Sequence, residues 1–109
     1  MKQKPVIPRA LAREDVDRAI AYYLEQEADK AALGLIDALE HAYKQLGGHP
    51  ESGSSRYAHE LDLPGLQSWP LKRYPYVVFY VERPNHIEVW RVLHGMSDIP
   101  SWLQDDVPR

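Results

Sequence analysis

The sequence contains no cysteine, so its fold can use neither a disulfide bond nor a thiolate metal site. It also lacks a long apolar run: residues 1–5 carry two lysines, but no apolar segment follows them as in a secretory signal. Nowhere does an apolar run approach the roughly 18 residues that a membrane-spanning helix needs. Together these absences predict a cytoplasmic protein without membrane contact, whose stability comes from packing alone.

Positive charge is scarce as well, with 13 lysine and arginine residues against 16 aspartate and glutamate residues and a formal net charge of −3. Proteins that bind nucleic acids usually present a strongly basic face. The balance therefore argues against direct nucleic-acid binding and suits a basic protein partner.

The composition nevertheless predicts a folded protein with a single domain over residues 1–109. Apolar residues make up 44% of the chain and charged residues 27%, which is ordinary for a globular protein and too apolar for a disordered one. A chain of 109 residues also lies within the usual single-domain range of roughly 50 to 200 residues, so one hydrophobic core is expected.

In the first half of the chain, apolar residues recur at spacings of three and four, which predicts two amphipathic helices. The first begins near Leu11. The second begins with Asp29 as its N-cap and ends at the glycine pair 47–48, because glycine adopts the left-handed conformation that closes a helix. The short connection at residues 26–28 predicts an antiparallel hairpin. Gly34 inside the second helix predicts a close helix crossing.

Beyond a polar connector at residues 49–55, the apolar period falls to two, which predicts a meander of three antiparallel strands. The strands are residues 66–72, 76–82 and 87–93. The middle strand is apolar on both faces, so both should be at least partly covered. Residues 6–7 lie between two prolines, which cannot donate to a strand ladder, and so suit an edge strand or an extended lead-in. A short helix or turn is expected at residues 97–103. The fold class is therefore α+β, a helical hairpin packed on a mainly antiparallel sheet of three or four strands.

The order of these elements and a series of short motifs resemble the RelE/ParE toxin superfamily, and within it the ParE branch. The motifs are Asp15-Val16, Ile20, Tyr22-Tyr23, His49-Pro50 through Gly53, Leu63-Pro64-Gly65-Leu66, Ser68-Trp69-Pro70-Leu71, Val78-Phe79-Tyr80, Val89-Trp90-Arg91-Val92-Leu93-His94-Gly95 and Asp98-Ile99-Pro100. The resemblance implies a growth-inhibiting toxin that binds DNA gyrase and is neutralised by a ParD-like antitoxin. Ser97 and Gln67 stand where the family commonly has arginine, which removes positive charge from the predicted docking end.

RelE-like members of the superfamily are mRNA endonucleases, and that activity is the main alternative. Cleaving a phosphodiester without a metal needs a proton acceptor, a proton donor and cations facing the developing phosphorane charge. From residue 49 onward the chain offers six basic residues against eight acidic ones. The five histidines and the carboxylates show no ligand spacing, and no nucleophile motif occurs. We therefore expect a protein-binding toxin with no catalytic residue, metal or cofactor; a degenerate toxin that binds only its antitoxin is a further alternative.

Seven residues are expected to contact the target, because aromatic and arginine side chains dominate protein-binding hot spots. They are Lys72, Arg73, Trp90, Arg91, His94, Asp98 and Trp102. Structural alternatives exist: Trp90 and Trp102 also suit a core, and Arg91 could pair with a carboxylate such as Asp98. His94 could fix a turn through a hydrogen bond.

Four residues on or beside the helical hairpin are expected to contact the antitoxin, which in this family folds onto the toxin. They are Tyr22, Leu33, Ala38 and Tyr43. Tyr22 and Tyr23 are adjacent on the first helix and point about 100° apart, so one of them should be left for a partner. The alternative is that all four side chains complete the core.

Overall fold

A computed structural model describes residues 3–105 as four helices and a four-stranded sheet, which confirms the predicted α+β class. The elements are β1 (Val6–Pro8), α1 (Ala10–Glu25), α2 (Asp29–Gly48), a 3-10 turn (Pro50–Ser52), α3 (Arg56–Leu61), β2 (Leu66–Pro70), β3 (Tyr76–Glu82), β4 (Ile87–His94) and α4 (Ile99–Asp105). The strand order is β1-β4-β3-β2. β1 runs parallel to β4, and the other pairs form the predicted antiparallel meander. No helix within the described residues is long and apolar enough to cross a membrane.

Each face of the sheet carries its own apolar cluster, where composition had suggested one core. Val78 and Tyr80 of β3 face the hairpin of α1 and α2 and join its buried side chains. Phe79 and Val81 face the other way, into a cluster that includes Leu93 and is completed by α3 and α4. Because successive strand residues point to opposite faces, an apolar run such as β3 needs cover on both sides.

A β-bulge distorts the pairing of the two central strands. Phe79 pairs with Arg91 but Tyr80 pairs with Val89, so Trp90 is an extra residue on β4. Bulges bend the strand and re-aim the side chains beyond them. Arg91 and the residues that follow it therefore take new directions at the end of β4.

The second helix ends at the predicted glycine pair, but its predicted N-cap and the predicted left-handed glycine were wrong. Ala28 is the N-cap, Asp29 is the first helical residue, and no side chain caps this end. The helix continues through Gly48, and neither glycine of the pair has a positive φ. Gly47 is needed for packing instead, because a methyl group there would lie 2.6 Å from the Lys4 carbonyl oxygen.

Gly34 is closely approached, as predicted, but by an aromatic side chain and not by another helix. The ring of Tyr74, from the turn between β2 and β3, covers Gly34, and its hydroxyl donates to the Ala31 carbonyl oxygen at 2.8 Å. Two boundaries also differ from the prediction. β2 stops at Pro70 and not at residue 72, and α3 lies where no helix was predicted.

Candidate functional site

A buried ion pair joins α1 to the end of β4. The Asp15 carboxylate accepts hydrogen bonds of 2.7 Å from both Nε and Nη2 of Arg91, and the two side chains are 4% and 3% exposed. Asp15 Oδ2 also accepts the backbone N–H of Val92 at 3.0 Å. β1 is short and pairs with β4 only as far as Val89. Beyond that point the Asp15 carboxylate accepts a backbone hydrogen bond from β4. Asp15 therefore takes the place of a strand at this edge.

Arg91 also holds α4. Its Nη1 donates to the Trp102 carbonyl oxygen at 3.3 Å, and its guanidinium carbon lies 5.2 Å from the centroid of the Trp102 ring. The alternative that Arg91 pairs with a carboxylate is thus confirmed, but that carboxylate is Asp15 and not the suggested Asp98. Since Arg91 lies inside the protein, its position suits the support of a surface and not direct contact with a target.

Beside this pair lies a shallow cavity of about 220 Å³, which we call the end pocket. Its lining residues are Asp15, Arg18, Ala19, Tyr22, Tyr76, Val92, Leu93, His94, Ser97 and Trp102. Two target candidates, His94 and Trp102, therefore lie around the same cavity as the antitoxin candidate Tyr22. Tyr22 and Trp102 are 54% and 41% exposed.

His94 has the turn-fixing contact that its position before a glycine suggested. Its Nδ1 accepts the backbone N–H of Met96 at 3.0 Å, and its ring packs edge-to-face on Tyr76 with centroids 5.4 Å apart. With Nδ1 acting as an acceptor, the neutral imidazole carries its proton on Nε2. His94 can then donate a hydrogen bond to a ligand but is poorly arranged to act as a general base.

Lys72 and Arg73 lie elsewhere, on a groove of about 1060 Å³ between α2 and residues 69–74, which we call the α2 groove. The antitoxin candidate Ala38 lines the same groove. The two cations therefore do not converge with Arg91 and His94 at one site.

The remaining target candidates sit apart from both cavities. Trp90 is partly buried, donates from Nε1 to Glu88 at 2.7 Å, and lies 5.1 Å from the guanidinium of Arg9. Asp98 is exposed just before α4, where its Oδ1 lies 3.5 Å from the N–H of Ser101. Neither side chain lines the end pocket.

The antitoxin candidates divide by exposure. Leu33 is 67% exposed on α2, and Tyr22 is also at the surface. Tyr43 instead packs against the cluster under the hairpin, where burial, with a smaller effect of Asp15, raises the pKa of its hydroxyl to about 12. Tyr43 therefore fits the core alternative better than an open contact.

The two positions that depart from the family pattern have different surroundings. Ser97 lines the end pocket. Gln67 lies on β2, and its Oε1 is 3.0 Å from the hydroxyl of Tyr80, which donates to the Pro50 carbonyl oxygen at 2.7 Å and accepts the Gly53 N–H. Gln67 is thus part of a hydrogen-bond network with Tyr80, and it does not line the end pocket.

Sequence reasoning missed the role of Asp15 and the position of Arg18 beside it. Asp15 follows Ala12 by three positions and precedes Ala19 by four, so it lies in the buried stripe of α1. A charged residue in such a stripe signals a buried partner, because an unpaired charge there is costly. Among the described residues, no group of three or more histidine, aspartate and glutamate side chains is placed to hold a metal ion.

Comparison with known proteins identifies the family of the chain and solved structures with a similar fold. A family model described as "ParE toxin of type II toxin-antitoxin system, parDE" matches residues 6–99. A solved structure titled "Chromosomal ParDE TA system from P. aeruginosa" superposes with a TM-score of 0.69 at 18% identity, covering 84% of this chain and 96% of that one. No curated protein sequence matches the chain significantly.

Proposed function

The chain belongs to the ParE toxin family, and from this premise we propose that it inhibits DNA gyrase by binding it and is neutralised by a ParD-like antitoxin. The main support for this mode of action is that the basic side chains of the second half of the chain lie at separate places. Lys72 and Arg73 line the α2 groove, whereas the charge of Arg91 is taken by Asp15. A phosphorane needs several cations at one point, so this arrangement favours protein binding over RNA cleavage.

The hydrogen bonding of His94 supports the same conclusion. Its Nδ1 accepts the Met96 N–H, so the neutral imidazole has a donor at Nε2 and no free lone pair. Aromatic side chains around it, among them Tyr22, Tyr76 and Trp102, are the residue types that anchor protein interfaces. The end pocket is therefore suited to hold a protein side chain.

The helical hairpin is the surface that we assign to the antitoxin. Residues 10–48 hold four basic and eight acidic residues, a net charge of −4 against −3 for the whole chain. The exposed apolar side chains of this hairpin include Tyr22, Leu24, Leu33 and Ile36. An amphipathic segment with basic residues complements both features. Such a segment, contributed by a ParD-like protein in the cytoplasm where gyrase works, would cover them.

Two parallel assays test the proposal. Purified toxin is added to a gyrase supercoiling and cleavage reaction, and separately to translating ribosomes with a reporter mRNA. Inhibition of gyrase with intact mRNA is the expected result. Cut mRNA would instead establish the endonuclease alternative. No effect in either assay would indicate a degenerate toxin, which would be consistent with Ser97 standing where the family commonly has arginine.

A further inference from the structure

The end pocket has the size of one side chain. Cavities that hold drug-sized ligands usually measure roughly 300–1,000 Å³. At about 220 Å³, and open to solvent beside Trp102, the end pocket is better matched to a single anchor residue of a protein partner. Deeply seated single residues often supply much of the binding energy of an interface.

Arg18 brings positive charge to this pocket although α1 as a whole is acidic. Among the residues whose side chains the structure describes, Asp15 and Arg18 are the charged ones that line it. The Asp15 oxygens already accept three hydrogen bonds, two of them from the cation Arg91, so that charge is neutralised. Arg18 is 66% exposed and forms a long ion pair with Asp15, in which Nη1 lies 4.0 Å from Oδ1 and therefore beyond hydrogen-bond distance. Its guanidinium N–H groups can therefore serve a further acceptor.

Residues that carry hydrogen-bond donors line the same cavity as Arg18. They are His94, whose Nδ1 accepts the Met96 N–H, and Ser97, Tyr22 and Tyr76 with their hydroxyls. A carboxylate accepts hydrogen bonds and donates none, so it suits a wall made of donors and one cation. Hydrogen bonds to an arginine are also stronger than those between neutral groups.

We propose that the end pocket takes one aspartate or glutamate side chain of the protein that the toxin inhibits, with Arg18 as its ion-pair partner. The proposal rests on the proposed function insofar as it presumes an inhibited target, but it does not require that target to be gyrase. The target is favoured over the antitoxin because of charge. A segment complementary to the acidic hairpin is basic, which is the opposite chemistry to a carboxylate anchor.

Substitutions of Arg18, compared with substitutions of Arg13, test the proposal. Arg13 lies on the same helix, donates from Nη1 to the Pro8 carbonyl oxygen at 3.1 Å, and does not line the pocket. The full chain carrying R18K, R18Q, R18E, R13Q or R13E is induced in growing cells and titrated into gyrase supercoiling reactions. Thermal unfolding of each purified variant confirms that the fold is retained.

We expect R18Q to lower potency about tenfold to a hundredfold, the range for losing a charged hydrogen-bond partner. R18E should abolish growth arrest, R18K should keep part of it, and the Arg13 variants should match the parent. Equal potency of R18E and the parent, or equal losses in R18E and R13E, would overturn the proposal. So would an R18E toxin that still arrests growth but escapes a co-expressed antitoxin, because the pocket would then belong to the antitoxin.

The same experiment separates this proposal from the proposed function. If the parent arrests growth but leaves gyrase active, the gyrase assignment is wrong, and the growth data on Arg18 still decide the role of the pocket. A parent chain that does not arrest growth has no target, and both proposals fall.

Discussion

Asp15 and Arg91 are 76 positions apart in the chain, yet they form a buried, two-pronged ion pair with both hydrogen bonds at 2.7 Å. The pair fixes α1 against β4, and through the Trp102 carbonyl oxygen it also fixes α4. The rim of the end pocket therefore depends on a contact inside the protein.

Asp15→Ala should lower the free energy of unfolding by about 3–5 kcal/mol, because it leaves the Arg91 charge buried without its partner. Urea unfolding measures the change. Asp17→Ala, at an exposed position of the same helix, is the control and should shift stability by less than about 0.5 kcal/mol. The double variant Asp15→Leu with Arg91→Met should lose less than Asp15→Leu alone, since it leaves no unpaired charge. Equal stability of Asp15→Ala and Asp17→Ala would contradict the assigned role.

The protein should lose stability in alkaline solution. Burial raises the pKa of Tyr43 and of Tyr80 to about 12, above the ordinary value of 10.0. Below pH 10 both hydroxyls are neutral in either state and the stability is unaffected. As the pH rises from 10 towards 12, these tyrosines ionise in the unfolded chain before they ionise in the folded one. Each of them then lowers the free energy of unfolding by up to roughly 2–3 kcal/mol. Unfolding measured between pH 8 and 11.5 should show this fall, and Tyr43→Phe should make it shallower. An unchanged slope in that variant would argue against the assignment.

Gly47→Ala should cost about 1–3 kcal/mol, because the new methyl group meets the Lys4 backbone and a packed site has to shift. Gly95→Ala is the matched control, since the nearest atom to its methyl group, the Pro75 carbonyl oxygen, is 3.6 Å away. Chemical unfolding midpoints compare the two. If both variants have the same stability, contact with the N-terminal segment is not the reason for a glycine at position 47.

Restoring arginine at the two positions that depart from the family should have two different effects. Gln67→Arg puts a longer, charged side chain beside the buried Tyr80 hydroxyl and should destabilise the fold by about 1 kcal/mol. Ser97→Arg adds a second cation to the end pocket and should raise potency in the growth-arrest assay with little change in thermal stability. A gain of potency from Gln67→Arg and none from Ser97→Arg would indicate that the target binds near Gln67 and not at the end pocket.

Much of the fold could be predicted because it depends on local periodicity. The three- and four-residue spacing in α1 and α2 and the alternation in β3 and β4 each specify an element and the face it buries. α3 was missed because six residues give too short a window for a helical period. The role of Gly47 was misread because its neighbour Lys4 lies 43 positions earlier, and a local rule about helix ends cannot detect it.

The candidate site was less predictable for the same reason. His94 could be assigned to its turn, since its partner Met96 is two residues away. Arg91 could not be assigned to Asp15, because their meeting depends on how the hairpin packs across the sheet. Arg18 is an ordinary surface residue in the sequence and becomes notable only beside Asp15, His94 and Trp102.

The cluster on the second face of the sheet is assembled from α3, β3, β4 and α4, and its final members are Ile99 and Leu103. A chain that stopped after β4 would keep the α3 side of this cluster, including the contact of Tyr57 with Phe79, but it would lack the cover that Ile99 and Leu103 provide. Proteases remove such half-covered products readily. A fragment without α4 should therefore be less stable than the full chain, because the cluster on this face is complete only when α4 is in place.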